Sequence, residues 1–162
     1  MGTKDWALIS KSIEFDAAHR VPRHGSKCRN VHGHRYKVTA FCRGTIVTEH
    51  GAADEGMLVD FGDLKQFMIT EIHDVLDHGI MIYRQDVNLL EAMFKLQEFE
   101  ADFIFRIEEF PYVPTAENIA RWCYGKLNPL VEHHFRENLI LDRIEVQETP
   151  TSMASYPETR HL

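Results

Sequence analysis

Phe15-Asp16-Ala17-Ala18-His19-Arg20, followed by Cys28-Arg29-Asn30-Val31-His32-Gly33-His34, is the stretch from which the rest of the chain is read. Side chains alternate across a β-strand, so Ile13, Phe15, Ala17 and His19 share one face of a strand over residues 7–19. That face ends in an imidazole. A second strand over residues 33–47 carries His34, Tyr36, Val38, Ala40 and Cys42 on one face. His32 and His34 are two apart and can reach a single ion, with His19 as the third ligand. Three neutral imidazoles and an open fourth position are the ligand set of catalytic zinc, whereas structural zinc closes four ligands and uses more sulfur. The plainer alternative stays open at this level: the chain has 10 histidines among 162 residues, and His-Gly-His tripeptides arise by chance.

Charge is distributed unevenly around this motif. Overall the chain is acidic, with 25 Asp and Glu against 18 Lys and Arg. Residues 17–48 nevertheless contain no acidic residue and seven basic ones, Arg20, Arg23, Lys27, Arg29, Arg35, Lys37 and Arg43, which leaves 11 basic and all 25 acidic residues elsewhere. A basic field beside a metal motif favours a polyanionic ligand, because guanidinium and ammonium groups make charge-assisted hydrogen bonds to phosphate oxygens. A basic strand pair facing acidic helices or a neighbouring subunit gives the same pattern. Nucleic acid is disfavoured by the net negative charge and by the scarcity of aromatics in the basic stretch, only Tyr36 and Phe41.

Length and 44% apolar content suit one core and one domain over residues 1–162, with no linker or repeat. No apolar run is long enough to span a membrane, and MGTKDWALIS lacks the apolar core of a signal peptide, so a soluble cytoplasmic protein is expected. Cys28, Cys42 and Cys123 form no paired framework, and reduced thiols are expected. Beyond the two strands, Thr48–Gly56 reads as a loop. Leu64, Phe67, Met68, Ile72, Val75 and Leu76 form a helical stripe that stops at Asp77-His78-Gly79. Thr115 reads as the N-cap of a second helix with Ile119, Cys123, Leu127 and Leu130 buried. Residues 139–149 read as a strand in which Ile144, Val146 and Glu148 share a face, and 151–156 as a strand returning on it. A carboxylate continuing an apolar face is costly to bury without a partner, which marks Glu148.

FDAAHR, CRNVHGH, MLVDFGDLK, LDH, PTAENIA and VQET, in this order from residue 13 to about 156, resemble the 6-pyruvoyltetrahydropterin synthase family and its close relative, the 6-carboxytetrahydropterin synthases of the queuosine pathway. The resemblance implies an α+β tunnelling fold, an antiparallel four-stranded sheet with two helices on one face. It also implies assembly by sheet edges into a homo-oligomer, a trimer stacked as a hexamer, with active sites between subunits. Residues 79–113 depart from the pattern, where relatives have a shorter loop. This helical insert reads as one or two amphipathic helices, an added packing element at the subunit surface, with a substrate lid or partner site as alternatives.

The same resemblance assigns roles. One Zn2+ per subunit on His19, His32 and His34 would polarise the side chain of a pterin triphosphate, with room for Mg2+ accompanying the triphosphate. Cys28, between Lys27 and Arg29, would be the base, since adjacent cations favour thiolate. Asp77 and His78 would supply the second proton carrier; without the resemblance they read equally well as polar residues at a helix end. Glu148 would anchor the pterin ring, helped by Thr115 and Glu117, both of which are also plausible cap residues. Three residues between Cys28 and His32 resemble the carboxy-forming enzymes. The implied reaction is conversion of 7,8-dihydroneopterin triphosphate to 6-carboxytetrahydropterin, acetaldehyde and triphosphate. The alternatives are a pyruvoyl-forming synthase and a zinc- and pterin-binding paralogue without turnover.

Overall fold

The structure, a computed structural model, describes residues 5–135 and 139–158. Met1 to Lys4, which open the stretch read as lacking a signal-peptide core, lie outside the described residues. Strands β1 (Trp6–His19) and β2 (His32–Thr45) form an antiparallel pair in unbroken register, with Ile13 opposite Val38, Phe15 opposite Tyr36 and His19 opposite His32. Strand β5 (Ile140–Thr149) adds to β2, shifted in register between Phe41 and Cys42, and β6 (Ser152–Tyr156) folds back on β5.

Two helices cover one face of this sheet. The first, α1, runs through Phe61–Met68, widens to a π-helical segment at Ile69–His73 and ends in the turn Asp74–Leu76. Asp60 caps it, its Oδ1 accepting from Gly62 N–H at 2.6 Å. Leu64, Met68, Ile72 and Leu76 are buried as the helical stripe predicts. The long carboxy-terminal helix, Ala116–His134, has Thr115 as its N-cap, accepting from Asn118 N–H. It buries Ile119, Cys123 and Leu127, with Val131 rather than Leu130 completing the stripe. These side chains meet Ile13, Phe15, Ala17, Tyr36, Val38, Ile144 and Val146 in one core. Burial pushes the Cys123 thiol well above its ordinary pKa and that of Cys42 up to about 12, so both are inert packing groups.

The region after α1 differs from expectation. The sheet has six strands, in the order β4-β3-β1-β2-β5-β6, rather than four. Strand β3 (Gly79–Tyr83) runs parallel to β1, and β4 (Ile107–Phe110) runs parallel to β3. Between them lies one helix, α2 (Val87–Phe99); the carboxy-terminal helix is therefore α3. Thus the insert is a strand–helix–strand unit and not only helical. Consecutive burial of Met81 and Ile82 is the mark of a strand covered on both faces. Met81 and Phe110 join the main core, whereas Ile82 and Leu90 of α2 are buried apart from it, which puts α2 over the opposite face. Such a short apolar strand cannot be told from a helix segment by periodicity, so the sequence pattern alone does not reveal β3 and β4. Among the described residues no helix is long and apolar enough to cross a membrane.

Candidate metal centre and active site

His19 closes β1, and His32 and His34 open β2, so the strand register alone sets the three imidazoles together on the helix-covered face. Ring centroids lie 4.6 Å apart for His19 and His32, 5.3 Å for His19 and His34, and 5.0 Å for His32 and His34. One nitrogen from each ring falls within 4.8 Å of the others, a group able to hold a metal ion. His19 is 2% exposed. Its Nδ1 lies 2.6 Å from the Pro114 carbonyl oxygen, and Nδ1 of His32 lies 2.8 Å from that of Asn30. Carbonyl oxygens only accept, so both rings carry the proton on Nδ1 and present the Nε2 lone pair. His19 Nε2 is buried and has no hydrogen-bond partner. A buried imidazole nitrogen with a free lone pair beside two more imidazoles, with backbone carbonyls orienting the rings, is a donor set that fits zinc. Burial also pulls the His19 pKa below its ordinary value, against the opposing pull of the Pro114 carbonyl and Glu148, which favours the neutral, metal-binding form.

Tyr36 forms the floor of this cluster, its ring centroid 5.8 Å from His19 and 5.7 Å from His34. Its hydroxyl is buried without a partner, and burial together with the nearby Glu148 carboxylate raises its pKa far above the ordinary value. Strand alternation sets Tyr36 on the His34 face, but nothing in the sequence marks its hydroxyl as part of the site. Glu148, at the end of β5, brings Oε1 to 3.5 Å from His19 Nε2 and keeps 23% of its side chain exposed. Thr115 follows the carbonyl that holds His19, while Glu117 is exposed on the first turn of α3.

Cys28 is a free, half-exposed thiol on a single 3-10 turn, Lys27–Arg29, within the connection between the two histidine-bearing strand ends. That connection is folded by Val21 N–H donating to the Cys28 carbonyl at 2.8 Å. Of the seven basic residues, Arg20 pairs with Asp86, Arg35 with Asp16 and Arg43 with Asp142. Among the described residues Arg23, Lys27 and Arg29, on the Cys28 connection, form no ion pair.

Asp77 and His78 sit at the sheet edge where β3 begins. Asp77 Oδ1 accepts from Asp16 N–H at 3.1 Å, its Oδ2 lies 2.8 Å from His78 Nδ1, and His78 N–H donates to the Asp16 carbonyl at 2.7 Å. Partial burial would raise the Asp77 pKa, but the Asp16 N–H and the His78 ring outweigh it and hold the carboxyl below its usual range. His78 is 80% exposed. Among the described residues no hydrogen bond, ion pair or ring contact joins Asp77 or His78 to the three imidazoles. A surface cavity of about 460 Å3, lined by Asp16, Gly33, His34, Arg35 and His78 among others, lies beside the pair.

With this arrangement in view, comparison with known proteins is decisive for the family. The profile of the 6-pyruvoyl tetrahydropterin synthase family matches residues 8–159. The chain belongs to this family. It is 33% identical over 150 residues to a 6-carboxy-5,6,7,8-tetrahydropterin synthase of Haemophilus influenzae, covering 93% of this chain and 98% of the relative. A Synechocystis protein of the same name is 30% identical over 149 residues, covering 92% of each. Among solved structures, an uncharacterized Wolinella succinogenes protein superimposes with a TM-score of 0.73 at 22% identity, over 93% of this chain and 97% of that one. The Caenorhabditis elegans 6-pyruvoyl tetrahydropterin synthase gives a TM-score of 0.66 at 23% identity, over 96% and 98%. Those two likenesses carry the fold, which is the tunnelling fold of the family with a widened sheet.

Proposed function

We propose that this protein is a zinc-dependent 6-carboxy-5,6,7,8-tetrahydropterin synthase, converting 7,8-dihydroneopterin triphosphate and water to 6-carboxytetrahydropterin, acetaldehyde and triphosphate for 7-deazapurine synthesis. The observation that carries the proposal is the buried, unpartnered His19 Nε2 facing His32 and His34, in a chain whose relatives over nearly full length bear that name. Zinc bound by the three histidines would supply Lewis acidity toward the hydroxyls of the substrate side chain. Cys28, carried by the connection between the ligand strands, is the base that takes the side-chain proton. Glu148 accepts hydrogen bonds from the guanidine-like edge of the pterin, with Thr115 and Glu117 beside it. Of the four basic residues of the 17–48 stretch without an ion pair among the described residues, Lys37 lies within β2, and Arg23, Lys27 and Arg29, on the Cys28 connection, hold the triphosphate, with Mg2+ accompanying it.

His78, oriented by Asp77, is the second proton carrier. Its exposure and its lack of contact with the imidazoles of its own chain support a site shared between copies, in which it serves a neighbouring subunit of a homo-oligomer. One domain over residues 1–162, working in the cytoplasm, completes the reading.

The test is mass spectrometry of products formed from dihydroneopterin triphosphate by the zinc-loaded protein, with a chelated sample alongside. Zinc-dependent 6-carboxytetrahydropterin and acetaldehyde are expected. A pyruvoyl product would assign the sister reaction, and unchanged substrate with retained binding would make the protein a pterin-binding paralogue.

A further inference from the structure

The structure assigns Arg106, in the insert, as a positioning residue for the Asp77–His78 pair. This inference rests on the proton-carrier reading of that pair given above. Arg106 holds the 77–80 turn from two sides. Its Nη1 donates to the Asp77 carbonyl oxygen at 2.9 Å, and its own carbonyl accepts from Ile80 N–H at 2.9 Å. Contact is so close that a Cβ added to Gly79 would stand 3.0 Å from the Arg106 carbonyl oxygen, 3.1 Å from Arg106 Cγ and 3.0 Å from the Leu76 carbonyl oxygen. Glycine at 79 is therefore required by the close approach of both Arg106 and the Leu76 carbonyl, and not by its own backbone angles.

His78 gives the clamp its purpose. Its φ is 56°, in the left-handed region that a residue with a β-carbon avoids. Such a conformation persists where the surroundings over-determine it. Here Asp77 N–H is tied to the His73 carbonyl, Asp77 Oδ1 and His78 N–H to Asp16, and the intervening Asp77 carbonyl to Arg106. Without the guanidinium, the Asp77–His78 peptide loses the only one of these ties that comes from the insert, and the peptide can rotate toward a relaxed φ. The imidazole would turn with it, away from the direction in which it now leaves the surface. The strand–helix–strand unit thus does more than widen the sheet: the residue just before its second strand delivers the group that aims the proton carrier.

Arg106→Met tests this, since it keeps the apolar stem and removes only the guanidinium; Arg106→Lys restores a cation, and Gly79→Ala disturbs the same approach from the other side. Two readouts are taken beside a thermal melt: steady-state kinetics with dihydroneopterin triphosphate, and the NMR signals of the His78 ring. Arg106→Met is expected to lower kcat by about 10- to 100-fold with KM within about twofold, the size of effect that a misplaced catalytic group produces. Its His78 signals should shift, Arg106→Lys should recover most of kcat, and Gly79→Ala should reproduce the shift. A folded Arg106→Met protein with unchanged kcat and unchanged His78 signals overturns the inference, as does a loss confined to KM. If the wild-type protein does not turn over the substrate, the proposed function fails on its own. The His78 signals of Arg106→Met then decide the clamp, and unchanged signals reject it.

Discussion

The imidazole cluster and the Asp77–His78 turn are built in opposite ways. The first is a product of regular structure: three clustered imidazoles follow from strand alternation and one antiparallel register, and backbone carbonyls of Asn30 and Pro114 orient two of the rings. The second is irregular, resting on a left-handed residue at a sheet edge and on ties to β1, α1 and the insert. A metal site needs its donors held to within a few tenths of an ångström of their coordination distance from one point, a precision that a strand pair can supply within a single chain. A proton carrier that met its substrate only on assembly, as proposed for His78, would instead have to project outward, and the His78 side chain is 80% exposed.

Removing a ligand strikes the regular half and should have the largest effect. His32→Ala is expected to lose stoichiometric zinc and to drop turnover to background, read by metal analysis of the purified protein. Normal zinc content at normal affinity in that variant would misplace the metal centre. Next in size is a test that joins the two halves. Cys28→Ala and Asp77→Asn should each retain zinc and lose about 10²–10⁴-fold in kcat, as removal of a general acid or base does. Subunits of the two variants, unfolded and reassembled together, should regain activity in about a quarter of the sites if each site is shared between copies. No recovery in a correctly assembled mixture would put both halves of the site in one subunit.

Smaller, and directed at the insert, is Asp86→Asn. Asp86 keeps 6% of its side chain exposed and takes both Arg20 Nε and Nη2, tying the residue after His19 to the start of α2. Neutralising it leaves a guanidinium short of its partner. A loss of about 2–4 kcal/mol in urea unfolding is expected, at the lower end for a buried pair because Arg20 is 29% exposed. The smallest effect concerns acid. Asp16, through its pair with Arg35, and Asp77 both have folded pKa values below their unfolded ones. Their contribution is therefore complete above the ordinary aspartate value of about 3.9 and is lost as pH falls through the lowered folded values. Carboxyl carbon shifts of both residues should titrate below that value, and midpoints at or above it would remove Asp77 as an ordered anchor for His78.

Much of this protein is legible in one dimension because period 2 and period 3.6 are local. Alternation puts His19, His34, Tyr36 and Glu148 on core-facing positions, and helical spacing marks Leu64, Met68, Ile72 and Leu76 as buried. Residues 79–113 are less legible, since parallel strands of four or five residues carry no alternation and gain their hydrogen bonds only from a distant neighbour. Arg106 and Asp86 had no sequence signal at all: a charged residue in a polar connection looks solvated until the backbone it reaches is folded against it. Sequence by itself determined the histidines that cluster, the inward faces and the basic stretch, each a matter of residue type at short spacing. Tertiary structure alone decided the sixfold sheet, the separation of Asp77–His78 from the imidazoles and the clamp on that pair, because these depend on which segments distant in the chain share a sheet edge.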